Sequence, residues 1–328
     1  MHNDKEADFT VDGLRVQARP GETVLSVAKR HGIRIPTLCH HEAVSPSGSC
    51  RLCVVEVFWG KRSKIVASCL YTPYENDRIE TNNGRVRMTR RLVLELLAAR
   101  CPGVEQIREL AREYGVDVPR YDADEDALRE RCILCGLCVR VCDEVVGQHA
   151  ISFAGRGMER RVTSPFADQS EECIGCGACV FICPTGALHF EDVDGRRVMN
   201  ELHTTVPLVK CRECGRPYAT AKQIEKVKNR LAQTDRNSIA TGMTSLFETS
   251  TRPAQMSRTK RLAISDDAAS LCPPCRVRSF GVRMEQALAK GRSSALPWER
   301  DASFALAVSR SIPPGIRGNG FPDDEGLR

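Results

Sequence analysis

Apolar and polar residues alternate from the start of the chain. Phe9-Thr10-Val11, Asp12-Gly13 and Leu14-Arg15-Val16 read as strand, two-residue turn and strand, a hairpin that Pro20-Gly21-Glu22 ends. The period then changes. Thr23 to His31 carries Val24, Leu25, Val27 and Ala28 on a helical stripe, closed by Gly32. Val54, Val57 and Phe58, then Ile65-Val66-Ala67, then Arg78-Ile79-Glu80 supply further short strands. Hairpin, crossing helix and returning strands predict a β-grasp arrangement of α+β class over residues 1–85.

Residues 86–130 read as a helical linker. Val86 to Arg100 places Leu92, Val93, Leu96 and Leu97 on one face, with Arg87, Arg90, Arg91 and Glu95 opposite, and Cys101-Pro102-Gly103 stops it. Val104 to Tyr114 makes a second amphipathic helix through Ile107, Leu110 and Ala111. The acidic run Asp122-Ala123-Asp124-Glu125-Asp126 reads as a solvated surface.

From residue 131 the pattern is governed by cysteine. Cys132, Cys135, Cys138 and Cys142 recur 41 residues later as Cys173, Cys176, Cys179 and Cys183, with Pro184 after the second run and Asp143 after the first. This is the spacing of a bacterial-type ferredoxin with two [4Fe–4S] clusters, in which the last thiolate of each run serves the other cluster. Cluster one is then expected on Cys132, Cys135, Cys138 and Cys183, and cluster two on Cys173, Cys176, Cys179 and Cys142. Gly136, Gly175 and Gly177 leave room at the clusters, while Val139, Val141, Val180, Phe181 and Ile182 are expected to shield them. The 30 residues between the runs, with Gly155-Arg156-Gly157 and Arg160-Arg161, read as a docking loop within a dicluster domain over 131–195.

Cys39, Cys50, Cys53 and Cys69 lie inside the first region, with a first gap of ten residues where a plant-type [2Fe–2S] ferredoxin has four. Small residues in Ser47-Gly48-Ser49 suit a loop whose backbone N–H groups face sulfur, so these four are expected to hold a [2Fe–2S] cluster. His40 and His41 are read as neighbours, since four thiols already fill the site.

Further on, Val206 to Lys210 feeds a knuckle at Cys211 and Cys214, and a second knuckle carries Cys272 and Cys275. Two such knuckles close one Cys₄ site, for zinc, or for a further [4Fe–4S] cluster given the neighbours, or for no metal. This module spans 196–295, with a helix from Ala219 to Ala232 and a Ser/Thr-rich excursion from Thr234 to Thr259. A Pro- and Gly-rich tail follows over 296–328. Of 17 cysteines only Cys101 is left over, a buried structural thiol on this reading.

Composition modifies the picture in two ways. Aromatic residues are 5% of the chain, which favours small metal-stapled domains over one large core. The formal charge of +6 invites a nucleic-acid reading. Twelve ligand thiolates, less about +2 for each of three oxidised inorganic cores, add roughly −6 and remove the excess. A nucleic-acid partner is therefore not expected. With no apolar run near the roughly 18 residues a membrane span needs, and no signal-peptide pattern, a cytoplasmic protein is expected.

The motif Gly48-Ser49-Cys50-Arg51-Leu52-Cys53, the closing Cys69 and the helix Arg90-Arg91-Leu92-Val93-Leu94-Glu95-Leu96-Leu97 carry a family resemblance. This region resembles the N-terminal [2Fe–2S] domain of the large peripheral iron–sulfur subunit of respiratory NADH dehydrogenase. It is also similar to the diaphorase small subunit of NAD-linked hydrogenases and to related formate dehydrogenases. Those proteins often bind another [4Fe–4S] cluster in the linker through one His and three Cys; here Cys101 stands without such partners, implying a shortened relative.

No nucleotide-binding fingerprint or catalytic constellation is present in the sequence, so no catalytic residue is expected. The resemblance implies an electron-relay subunit of a multisubunit oxidoreductase. It would lie between a flavin- and NAD(P)H-handling subunit and a catalytic hydrogenase or formate dehydrogenase-type subunit. The alternatives are a redox-sensing or assembly scaffold, or a small stand-alone reductase.

Overall fold

The hairpin expected from alternation forms between β1 (Ala7–Val11) and β2 (Leu14–Ala18), paired antiparallel from Ala7↔Ala18 to Val11↔Leu14. Asp12 (φ 50°) and Gly13 (φ 84°) make the tight turn whose twist matches its strands. This is a computed structural model, and it describes residues 5–116, 121, 131–233 and 269–279. These fall into two units, Met1–Cys272 and Pro273–Arg328; of the second, only a helix over 273–279 is described.

In the first unit, α1 (Val24–Arg30) follows the hairpin, its Thr23 hydroxyl accepting from the Ser26 N–H at 3.3 Å. β3 (Val54–Trp59), β4 (Arg62–Ala67) and β5 (Arg78–Glu80) complete a five-stranded sheet in the order β2-β1-β5-β3-β4. β5 runs parallel to β1 and antiparallel to β3. Val24, Leu25, Val27 and Ala28 of α1 pack on Phe9, Val11, Val16, Val55, Val57 and Ile79, so the helical stripe and the inward strand residues close one core.

A second core joins distant parts of the chain. α2 (Gly84–Arg100) and α3 (Glu105–Glu113) bring Leu94, Ala98, Cys101, Ile107 and Ala111 against Leu38, Val44 and Leu52 on one side and Ile133, Leu137 and Val141 on the other. The orientation of α2 corrects the expectation from the sequence. Arg90 is only 1% exposed and Glu95 is buried, whereas Leu92 and Leu96 are 43% and 54% exposed. Val93 and Leu97 do pack inward. The reason is a backbone need. The Arg90 guanidinium donates to the carbonyls of Leu52 (3.0 Å) and Val54 (2.7 Å) and to the Tyr114 hydroxyl (3.0 Å), which pulls that side of the helix inward.

Beyond residue 131, α4 (Leu137–Arg140) runs into a π-helical turn, Val141–Val146, and packs on α5 (Ala178–Phe181). The interval between the cysteine runs is more ordered than a plain loop. β6 (Ser152–Ala154) and β7 (Arg161–Thr163) form a hairpin, with the Arg160 guanidinium 4.2 Å over the Phe153 ring. Asp143 stands where the ferredoxin pattern has proline, and its carboxylate lies 2.7 Å from His149 Nδ1. β8 (Glu191–Val193), β9 (Arg196–Met199), β10 (Thr204–Lys210) and β11 (Pro217–Thr220) form an antiparallel sheet in the order β11-β10-β9-β8. The helix expected from Ala219 begins at Ala221, as α6 (Ala221–Gln233). Ala219 and Thr220 instead pair with Val209 and Leu208, and the Thr220 hydroxyl caps α6 by accepting from the Gln223 N–H at 3.1 Å.

Among the described residues no helix is long and apolar enough to cross a membrane. The acidic run at 122–126, the excursion at 234–259 and the tail from 296 lie outside the described residues.

Candidate iron–sulfur and metal centres

The loop between α1 and β3 carries Cys39, Cys50 and Cys53, Cys69 follows β4, and the four thiols lie together as two pairs. The Cys50 N–H donates to Cys39 Sγ at 3.3 Å, and Cys53 Sγ lies 3.4 Å from Cys69 Sγ. All four are buried. The contact between their sulfurs pushes Cys50 down to about 5 against the cost of burial and pushes Cys39 up. Cys53 is likewise pushed down to about 7 by Cys69, which rises. Four buried thiols lying as two neighbouring pairs suit a two-iron core in which each iron takes two thiolates. The loop is held in shape by Arg51 at φ 57° and by the His41 ring, whose Nδ1 accepts from the Ala43 N–H at 3.1 Å. His40 Nδ1 is buried among no hydrogen-bond partners.

The two cysteine runs line two separate cavities, and each cavity draws on both runs. Cys132, Cys135, Cys138 and Cys183 line one, with Ile133, Leu137 nearby in the core, Val162 and Leu188 as apolar walls. Cys142, Cys173, Cys176 and Cys179 line the other, walled by Ile151, Ile174, Met199 and Leu202. The exchange of last cysteines follows from α4 and α5 packing together, which carries each run's end across to the other cavity. Gly136 (φ 70°) and Gly177 (φ 77°) occupy equivalent places before α4 and α5, in a left-handed conformation that starts each helix directly after a cysteine loop.

Burial dominates the thiol chemistry here. It pushes Cys135 up to about 11, Cys179 to about 12 and Cys138 well above its ordinary value, and it raises Cys132, Cys142 and Cys173. Thiols so placed stay protonated at neutral pH unless a cation displaces the proton, and four sulfurs around an apolar hollow suit a cluster more than a polar substrate. Of the expected shielding residues, Val141 is buried and Val139, Val180 and Ile182 are partly buried. Phe181 is not a shield: it is 80% exposed and meets only the edge of Phe190, at 5.9 Å between ring centres.

The first cavity lies beside the N-terminal thiols. Cys39, Cys50 and Cys135 belong to one continuous core. The second lies against the C-terminal sheet: Arg197 donates to the Gly175 carbonyl at 2.9 Å, and the Thr220 hydroxyl to the Ile174 carbonyl.

At the end of β10, Cys211, Cys214 and Cys272 converge, their sulfurs within 4.8 Å of one another and the last two 3.7 Å apart. The Cys272 N–H donates to Cys211 Sγ at 3.3 Å and, with the Cys214 N–H, pushes Cys211 down to about 6. The Arg212 N–H donates to the Ser270 carbonyl at 3.0 Å, and the Tyr218 hydroxyl to the Ala269 carbonyl, so the segment that leads into Cys272 is moored to the first knuckle. Two thiolates about 2.3 Å from one tetrahedral ion stand about 3.8 Å apart, which is the spacing seen here. In the second unit Cys275 is buried on the helix over 273–279, with the Arg278 guanidinium 3.1 Å from its sulfur. Cys101 is buried in the core beside α3.

Three residues that matter to these sites are not expected to from the sequence: Arg90, which the helical pattern places on the polar face of its helix, Arg140 and Glu144. The one signal for Arg140 is its place between apolar spacers in Cys138-Val139-Arg140-Val141-Cys142.

Residues 4–84 match the family model described as a 2Fe-2S iron-sulfur cluster binding domain, and residues 131–187 match that of a 4Fe-4S dicluster domain. The NADH-ubiquinone oxidoreductase 75 kDa subunit of Reclinomonas americana is 34% identical over 199 residues, covering 54% of this chain and 28% of that protein. The 78 kDa mitochondrial subunit of Candida albicans is 28% identical over 206 residues, covering 56% of this chain and 28% of its own. The chain thus spans less than a third of the length of these relatives. Among solved structures, a chain from the crystal structure of NAD+-reducing [NiFe]-hydrogenase in the H2-reduced state aligns with 66% of this chain and 97% of its own, at 29% identity and a TM-score of 0.48. With cluster-binding domain models matched at both of these cysteine-rich regions, the chain carries a 2Fe-2S domain and a 4Fe-4S dicluster domain, and over just over half its length it is similar to the 75 and 78 kDa subunits of NADH-ubiquinone oxidoreductase.

Proposed function

We propose that this chain is the iron–sulfur electron-transfer subunit of a cytoplasmic multisubunit oxidoreductase. It passes electrons between a flavin- and NAD(P)H-handling subunit and a catalytic subunit of hydrogenase or formate dehydrogenase type. The observation that carries this reading is the row of thiol sites: a paired-thiol loop, then two four-thiol cavities, with the first two sharing a core. On this reading the five-stranded sheet and its helix are a β-grasp domain whose Cys39, Cys50, Cys53 and Cys69 hold a [2Fe–2S] cluster. Cys132, Cys135, Cys138 and Cys183 hold one [4Fe–4S] cluster, and Cys142, Cys173, Cys176 and Cys179 a second. When bound, such clusters supply one-electron sites. The chain's own side chains exclude water from them and fix their spacing.

Cys211, Cys214 and Cys272, with Cys275 as fourth ligand, hold a structural zinc. The 3.7 Å sulfur separation favours a single ion over a further cubane, whose thiolates sit on separate irons. Four thiolates leave no open position for chemistry.

Purification of the chain with its native neighbours tests the proposal. Flavin-bearing and catalytic subunits are expected to co-purify, and the isolated chain is expected to be inactive. Turnover of NADH by the isolated chain would overturn the relay reading. Metal analysis is expected to give about ten irons and one zinc; about fourteen irons and no zinc would move the last site to a cubane.

A further inference from the structure

One side chain ties the N-terminal thiol site to the first cavity. Arg140 ends α4, and its Nη2 donates to the carbonyl of Cys39 at 3.1 Å and to the carbonyl of Cys135 at 3.3 Å. Its Nη1 donates to the Ser45 carbonyl. On the following turn Glu144 accepts from the Ser45 N–H and hydroxyl, each at 2.6 Å. One stretch of the chain therefore grips the loop from Cys39 to Ser45 with a cation and an anion. The fork matters: a guanidinium can serve several acceptors in fixed directions, whereas an ammonium acts as a compact point charge.

We propose that Arg140 is a positioning residue for electron transfer, setting the separation between the N-terminal site and the first cubane site and biasing the potential of both. The inference rests on the ligand assignments made above. Its physics is direct. Both carbonyls belong to ligand residues, so moving either one moves a sulfur. The charge sits between two groups that each become more negative on reduction, which favours the reduced form of both. The second cubane site has no contact with this guanidinium among those described, so its response differs.

The test uses the cluster-loaded full chain with Arg140→Gln, Arg140→Lys and Glu144→Gln, read by EPR-monitored redox titration and by power saturation of the [2Fe–2S] signal. Cys183→Ser identifies the signal of the first cubane. In Arg140→Gln the midpoint potentials of the [2Fe–2S] cluster and the first cubane should fall, and the relaxation enhancement between them should weaken, while the second cubane is unchanged. Arg140→Lys keeps the charge and loses the fork, so potentials near wild type with weakened relaxation enhancement are expected. This variant also decides the question if Arg140→Gln fails to hold its clusters. Glu144→Gln should weaken the enhancement without lowering either potential. Wild-type potentials and relaxation in both Arg140 variants, or an equal shift of all three clusters, would overturn the proposal. Wild-type protein lacking these clusters would instead overturn the ligand assignments beneath it.

Discussion

Replacing Arg90 by Met isolates the most consequential contact that the helix pattern concealed. The guanidinium is 1% exposed and makes three hydrogen bonds, to the carbonyls of Leu52 and Val54 and to the Tyr114 hydroxyl. A hydrogen bond from a charged donor contributes about 1.5–3 kcal/mol, so the three contribute roughly 4.5–9 kcal/mol before costs. Methionine keeps most of the stem's packing and removes a buried charge, recovering several kcal/mol of desolvation. The net loss expected is about 3 kcal/mol. Leu52 lies between Cys50 and Cys53, so the loss falls on the cluster loop first. The assay is urea unfolding of the loaded protein, followed by the visible circular dichroism of the N-terminal site. With a slope of about 2 kcal/mol per M, the midpoint should drop by about 1.5 M. Arg90→Lys should lie between, since an ammonium cannot span both carbonyls and the hydroxyl in one plane. A midpoint for Arg90→Met within about 0.3 M of wild type would refute the claim that this guanidinium holds the loop.

Other perturbations separate the remaining sites. Cys183→Ser should remove the cubane signal of the cavity lined by Cys132, Cys135 and Cys138; loss of the other cubane alone in EPR would refute the exchanged ligand sets. Gly177→Ala adds a Cβ 2.8 Å from the Phe190 ring at φ 77°. It should destabilise the region by about 2 kcal/mol, of which the left-handed backbone accounts for about 1–2, measured as a lower thermal midpoint for loss of cubane absorbance. Cys214→Ser should abolish bound zinc in elemental analysis while leaving the iron count unchanged; a fall of about four irons would show a cubane there.

What the sequence made legible was whatever rests on short-range periodicity. The hairpin needs only alternation around Asp12-Gly13, and α1 needs only Thr23 before a stripe and Gly32 after it, so both lie where expected. The cavity-lining cysteines were legible for a related reason: the interval of two residues between successive thiols is local geometry. The face of α2 was not legible, because its apolar residues surround the helix. Met88, Leu92 and Leu96 make one stripe and Val86, Leu94 and Ala98 another, and only the second is buried. Hydrophobicity does not choose between them; the carbonyls that Arg90 serves do. Phe181 misled in the same way, an apolar residue among ligands that turns outward to Phe190. The start of α6 slipped by two residues because strand pairing with Leu208 and Val209 outweighs the helix propensity of Ala219.

The inward turn of Arg90 has its cause in the backbone of a thiol loop. A loop that aims N–H groups at sulfur cannot also use its carbonyls in a regular ladder, so those carbonyls must find donors elsewhere. Around the N-terminal thiols the donors are arginines from outside the sheet: Arg90 of α2 serves Leu52 and Val54, and Arg140 of α4 serves Cys39 and Ser45. Around the second cavity Arg197 serves Gly175 in the same manner, itself held by Asp192 at 2.8 Å. Arginine suits this task because it stays charged and offers several donors in a fixed fork. Each arginine thus does two things at once, satisfying a loop and fixing its position against the next element. Arg90 and Arg197 are buried and Arg140 is half-buried, so side chains that hydropathy assigns to the surface are the ones that fix the thiol loops against their neighbouring elements.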